Sequence, residues 1–214
     1  MKITTRPNAG KFRKLLIACA ASAGLVMTLG IGAAQAATND GVGIGTPHPA
    51  TNVTVDAGWQ EFITDGIGIG STKGPWNFTS TTVVKITVTD AFCHGDEFAV
   101  YDNNTLLGET SKVVPDVVCS FRLYFPASAR ADAAILDHGY SQGTFFVAPG
   151  EHSLDFVNTV LWNATAAGTG AYFRLDSVQL TKDDCKDGGW QNFGALFSNQ
   201  GSCVGLTQHL AAGS

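Results

Sequence analysis

From Thr82 to Thr89 the chain reads TVVKITVT, with Val84, Ile86 and Val88 on one side of an extended backbone and Val83, Lys85 and Thr87 on the other. A period of two fits a strand with one face buried, and it does not line up along a helix. The signature recurs. Glu97–Asp102 (EFAVYD) sets Phe98 and Val100 on one face, Asp102-Asn103-Asn104 turns the chain because Asn and Asp tolerate positive φ, and Leu106–Thr110 returns antiparallel. Thr144–Ala148 and His152–Leu161 flank Ala148-Pro149-Gly150-Glu151, a second hairpin with Pro-Gly at the turn centre. Gly170–Leu180, Gly58–Ile63, Trp76–Ser80 and Phe121–Phe125 supply further strands. Roughly eight to ten short strands, with turn signals at intervals of about ten residues and no convincing helix before residue 190, predict an all-β chain. The expected architecture is a jelly-roll-like two-sheet β-sandwich over residues 58–182. Pro126–Tyr140 reads as a long loop or one helical turn.

The ends of the chain carry different information. Residues 1–14 are basic, residues 15–34 are apolar and uncharged, and Ala34-Gln35-Ala36 offers the small-x-small pattern of a signal-peptidase site. Residues 1–36 therefore read as a secretory signal peptide of bacterial type. An uncleaved membrane anchor is disfavoured by Gly24, Gly30 and Gly32 within the apolar run. Five of the 13 Lys and Arg residues lie in the first 14 positions, so the chain beyond Ala36 has 8 basic against 18 acidic residues, a net charge of −10. Such a body argues against a nucleic-acid backbone or an anionic membrane surface as partner. Residues 37–57, punctuated by Gly and Pro, are expected to be a flexible lead-in.

Cys19 would leave with the leader, and Cys93, Cys119, Cys185 and Cys203 remain. An even count in an exported chain reads as disulfides, with three connectivities open. Sequence proximity favours Cys93–Cys119 and Cys185–Cys203, each stabilising by about 3 kcal/mol on the chain-entropy argument. The spacings lack the tight Cys pairs of a zinc site. Residues 183–214 are too few for a core of their own, so a staple with Trp190, Phe193 and Phe197 clustered around it is the expected solution. A short helix is expected from about Gln200 to Leu210.

Two stretches resemble known proteins. The run VTDAFCHGDEFAVYDNNTLLGETS (Val88–Ser111), with GTFFVAPGEHSL and GAYFRLDSV downstream, resembles a family of uncharacterised secreted β-sandwich proteins of bacteria and fungi, some with exopolysaccharide-sorting (PEP-CTERM) tails. The sorting tail itself is not matched here. CKDGGWQNFGALFSNQGSCV resembles a cysteine-stapled C-terminal segment of exported actinobacterial proteins. Phe-x-Leu-Asp-Ser-Val around Asp176 is similar to the final strand of galactose-binding-like and carbohydrate-binding sandwiches, and that resemblance implies a structural calcium with Asp176 as ligand.

Candidate chemistry is sparse. Asp90, Asp96, Glu97, Asp102 and Asp176 fall at strand ends or turns, where carboxylates and carbonyls can converge on Ca²⁺, or where acids simply protect sheet edges. DGVGIG and DGIGIG lack the Gly-Lys-Ser/Thr ending of a phosphate loop and read as glycine-tolerant loops. The five histidines are scattered, and no Gly-x-Ser-x-Gly elbow is present. Among the aromatics, Trp162 and Tyr172 are the best candidates for stacking on a sugar, although strand aromatics more often build core. The expectation is a non-catalytic, extracellular structural or adhesion module that meets an extracellular polysaccharide or a cell-envelope component. A carbohydrate-binding module is the first alternative and a hydrolase with a carboxylate pair the second.

Overall fold

The computed structural model describes residues 48–115, 127–163, 166 and 168–212. The expected cleavage point at Ala36, the expected strand Phe121–Phe125 and Cys119 lie outside them. Among the described residues nine strands are formed: β1 (Thr51–Asn52), β2 (Gln60–Thr64), β3 (Trp76–Ser80), β4 (Val83–Asp90), β5 (Glu97–Asp102), β6 (Thr105–Glu109), β7 (Gln142–Val147), β8 (Gly150–Val160) and β9 (Thr169–Val178). They make two sheets, one ordered β1-β3-β8-β5-β6 and the other β2-β9-β4-β7.

The connectivity is that of a jelly roll. β2 pairs with β9, β3 with β8, β4 with β7 and β5 with β6, all antiparallel. These nested pairs are one long hairpin, closed at the β5–β6 turn and rolled so that its two halves face each other. The turn is made by Asn103 and Asn104, both at positive φ, as the Asp-Asn-Asn signal predicts. β1 adds a parallel edge to β3.

Alternation places the core. Phe62, Val84, Ile86, Val88, Phe98, Val100, Leu154, Phe156, Ala171, Phe173 and Leu175 point inward and pack with Trp76, Phe78 and Val147. At the centre the Phe62 ring stacks on Phe156 at 4.3 Å and meets Phe98 edge-on at 5.2 Å. Each such pair adds about 0.5–1.5 kcal/mol beyond burial alone.

Three expectations are corrected. The Ala148-Pro149-Gly150-Glu151 turn does not close a hairpin: β7 pairs with β4 in one sheet and β8 with β3 and β5 in the other, so the turn carries the chain between sheets. The lead-in is not free to its end: β1 pairs with β3, Val53 and Val55 pack on the core, and Asp56 Oδ1 accepts the Ser177 N–H at 2.8 Å. The stretch after Pro126 holds two turns of helix, α1 (Ala127–Ala134). Its sequence ASARADAA is rich in the best helix former. Buried Ala131 and Ala134 seat it with Ala91, Tyr140 and Tyr172, on the outer side of the β2-β9-β4-β7 sheet.

The tail follows its prediction. Cys185 and Cys203 are joined and lie in a cluster with Phe193 and Phe197, flanked by Trp190. Helix α2 (Gln200–Ala212) begins at a reciprocal cap, in which Asn199 Oδ1 accepts the Ser202 N–H at 2.9 Å and Ser202 Oγ accepts the Asn199 N–H at 3.3 Å. The cluster extends to Phe146, Val178 and Leu180, and the Phe193 ring meets Phe146 at 5.2 Å. The tail thus shares its apolar contacts with the ends of β7 and β9. Cys93 is also disulfide-bonded. Disulfides place the folded chain in an oxidising environment. No helix among the described residues is long and apolar enough to cross a membrane.

Candidate functional site

Five inward-facing rows of the sandwich end in polar residues. Two positions beyond core residue Phe62 stands Thr64, and two beyond Val88 stands Asp90. Asn158 follows Phe156 at the same interval, while Asp96 precedes Phe98 and Thr169 precedes Ala171 by two. Because side chains two apart in a strand share a face, Thr64, Asp90, Asn158 and Thr169 inherit the inward direction of their apolar neighbours, while Asp96, which precedes β5 at a register shift between β5 and β8, is tied to the same end by the Thr169 hydroxyl. Topology brings them to one end: Thr64 is the register partner of Thr169, Asp90 that of Ala171, and Asn158 that of Phe98. Thr64, Asp90, Asp96 and Asn158 are each fully buried.

The two carboxylates are held by loop backbone. Asp90 Oδ1 accepts the Phe92 N–H at 3.1 Å. Asp96 Oδ1 accepts the Trp162 N–H at 2.8 Å, and its Oδ2 accepts the Thr169 hydroxyl. Gly95 makes the approach feasible, since a Cβ there would stand 2.9 Å from the Trp162 Cα and 2.7 Å from that of Pro115. From the β2–β3 connection, the Gly68 N–H donates to the Asn158 carbonyl at 2.8 Å. Three loops therefore close over this end.

Three buried oxygens here have no partner among the described residues: Asp90 Oδ2, Asn158 Oδ1 and Thr64 Oγ1. The Asn158 amide is fixed in orientation, because Nδ2 donates to the Glu97 and Val160 carbonyls at 3.3 and 3.0 Å, and a flip would set oxygen against oxygen. Each such orphan costs about 1–3 kcal/mol if left unmet. Burial pushes the Asp90 carboxyl well above the ordinary carboxylate range, and the neighbouring Asp96 charge adds to it. Burial likewise raises Asp96, against the opposing bonds from Thr169 and Trp162. Neither acid has a cationic partner among the described residues. Chemically this is a small, oxygen-rich centre with negative charge and unfilled acceptor capacity.

Of the acids expected at strand ends, Asp90 and Asp96 come together and the rest do not. Glu97 points away and accepts the Val113 N–H at 3.1 Å. Asp102 lies at the opposite end and pairs with His152 at 2.8 Å. Asp176, the expected calcium ligand, sits on the outer face with Lys85 Nζ at 3.4 Å and Arg174 Nε at 2.9 Å, so cations already neutralise it. Tyr172 is 1% exposed beneath α1, its ring stacked on Phe92 at 5.7 Å, and offers no face for a sugar. Trp162 is half-buried and joins the polar end through its backbone. Sequence reasoning missed Asn158, Thr64 and Thr169. Their signal was present as polar residues on apolar rows, but only the nested pairing shows that the rows end together.

On the outer face of the β2-β9-β4-β7 sheet, the Arg174 guanidinium lies over the Trp59 ring at 4.8 Å, and Trp59 Nε1 donates to Asp132 of α1 at 2.8 Å. Beside them Arg130 covers Phe92 at 4.7 Å.

No protein-family model matches the chain, and no curated protein does. Among solved structures, it is similar to the pre-peptidase C-terminal domain of a collagenase from Bacillus anthracis, with 9% identity over 62% of this chain and 99% of that one. The TM-score is 0.34, and a likeness that slight carries no argument about the site.

Proposed function

We propose that the chain is an exported, non-catalytic β-sandwich module with a structural or adhesive role outside the cell. The observation that carries this reading is how the chemically capable side chains are used. His152 is clasped between Asp102 and the Ala148 carbonyl, Asp155 accepts from Ser71 N, Ser71 Oγ and Phe156 N, and Asp96 binds two strands' loops together. These groups act as braces. A basic and apolar leader ending at Ala34-Gln35-Ala36, together with disulfide-bonded cysteines, supports export. The partner that suits an acidic exterior module of this kind is an envelope component or an extracellular polysaccharide.

Expression in a bacterial host tests the proposal. The expected outcome is secretion of a chain starting at Ala37, with no free thiol and with retention on envelope material. Retention of a reduced chain in the cytoplasm would overturn export, and turnover of a polymer lost on a single Asp→Asn change would overturn the non-catalytic reading.

A carbohydrate-binding reading is favoured by one observation, the half-buried Trp59 ring on one sheet face, with Arg174 over one side of it and Asp132 at its edge. Rings flanked by charged hydrogen-bonding groups suit the apolar and hydroxyl faces of a sugar. Polysaccharide pull-down that is lost in Trp59→Ala and kept in Trp162→Ala would support it.

A further inference from the structure

We propose that the inward-facing oxygens of Asp90, Asp96, Asn158 and Thr64, at the loop end of the sandwich, bind a calcium ion. Two independent observations meet there. Asp90 and Asp96 are fully buried carboxylates brought to one end by the pairing of β4 with β9 and by the Thr169 hydroxyl on Asp96, and neither forms an ion pair with a cation among the described residues. Separately, Asn158 Oδ1 and Thr64 Oγ1, both on fully buried residues, have no hydrogen-bond partner among the described residues. A buried acceptor normally has a partner, so several converging at one place mark a missing donor or cation.

The donor set selects the ion. All the available atoms are oxygens: two carboxylates, one amide and one hydroxyl. These four residues supply no nitrogen or sulfur donor, which argues against zinc and other nitrogen- or sulfur-seeking ions. Two carboxylates balance a divalent charge. Calcium accepts six to eight oxygens in irregular geometry, including amide and backbone carbonyls, whereas magnesium wants a regular octahedron and keeps several waters, for which a closed interior has little room. Backbone carbonyls of the closing loops would complete the shell. The role is structural: the ion would tie the start of β5, the ends of β2, β4 and β8 and the approach to β9 at the end where the apolar core stops. The centre is distinct from Asp176, whose carboxylate is held by Lys85 and Arg174.

The test uses the full disulfide-bonded chain. Thermal melting is followed in EDTA, in Ca²⁺ and in Mg²⁺, and terbium is titrated with excitation of tryptophan. At calcium about a hundredfold above its dissociation constant, linkage predicts a Tm rise of about 5–10 °C. Terbium emission should be displaced by Ca²⁺, and it should weaken in Trp162→Phe while the calcium-dependent Tm rise persists, because Trp162 holds Asp96 through its backbone. Asp90→Asn and Asp96→Asn should each abolish the rise, and Asp176→Asn should retain it. A Tm equal in EDTA and Ca²⁺, an equal response to Mg²⁺, or a response lost with Asp176 and kept without Asp90 and Asp96 would overturn the proposal. The wild-type melts decide it even if the Asp90 and Asp96 variants do not fold.

Discussion

His152 should be an imidazolium that holds one end of the sandwich together, and raising the pH should loosen that end. The ring is 9% exposed and stacks on Phe78 at 4.8 Å. Nδ1 lies 2.8 Å from Asp102 Oδ2 and Nε2 lies 2.8 Å from the Ala148 carbonyl. Both partners are acceptors, so both ring nitrogens must donate, and only the protonated ring can do that. Burial works against the charge, but the bond and charge of Asp102 and the Ala148 carbonyl outweigh it, and the pKa is raised above the ordinary value. A raised folded-state pKa gives stability that is complete below the unfolded value, about 6.5 for histidine, and is lost as pH climbs through the higher folded value. Deprotonation removes one of the two bonds. A charge-assisted bond contributes about 1.5–3 kcal/mol, and a protein of this size shifts about 2–4 °C per kcal/mol. Tm should thus fall by about 3–12 °C across that window. Asp102→Asn should flatten the dependence, since an amide can donate to a neutral Nδ1. Calorimetry against pH, with imidazole ¹⁵N shifts assigned to His152, reads both effects. A His152 midpoint at or below 6.5, or stability that rises with pH through this range, would refute the reasoning.

Other outcomes can be checked with less work. Phe62→Ala removes the ring that stacks on Phe156 and abuts Phe98 and should cost about 3–5 kcal/mol in denaturant unfolding. Cys185→Ser with Cys203→Ser opens a loop of sequence separation 18, which the chain-entropy relation values at about 3 kcal/mol. Hydrogen exchange should then show faster exchange in residues 183–212 than in β4 and β9. Gly168→Ala would place a Cβ 2.2 Å from the Thr64 carbonyl and should destabilise by about 1–3 kcal/mol, read as a lower denaturation midpoint.

The fold was largely legible because its signals are local. The alternation of Val84, Ile86 and Val88 and the Asp-Asn-Asn turn each act within a few residues, and Trp76–Ser80 and Glu97–Asp102 form strands at their expected bounds. The Pro-Gly signal marked a turn but not its role as a link between sheets, because which strands pair is decided by partners distant in sequence. The cysteine tail was legible for the same reason. The site was not, because it depends on pairings far apart in sequence. Thr169 meets Asp96 across 73 positions, and no local pattern records that. Tyr172 shows the other limit. It was a candidate for stacking on a sugar from its place beside the Asn163–Gly170 loop, but α1 folds over it, and that helix is built largely from alanines with little periodic signal. Asp176 was read from a resemblance in one strand, while the neighbouring strand supplied Lys85 to neutralise it.

The central claim is the nested pairing that rolls one long hairpin into two facing sheets. A NOESY spectrum of the folded chain tests it directly. The account predicts cross-strand contacts from Phe62 to Ala171, from Phe78 to His152 and from Ile86 to Phe145. Contacts pairing β2 with β3 and β3 with β4 instead, as in a simple meander, would contradict it.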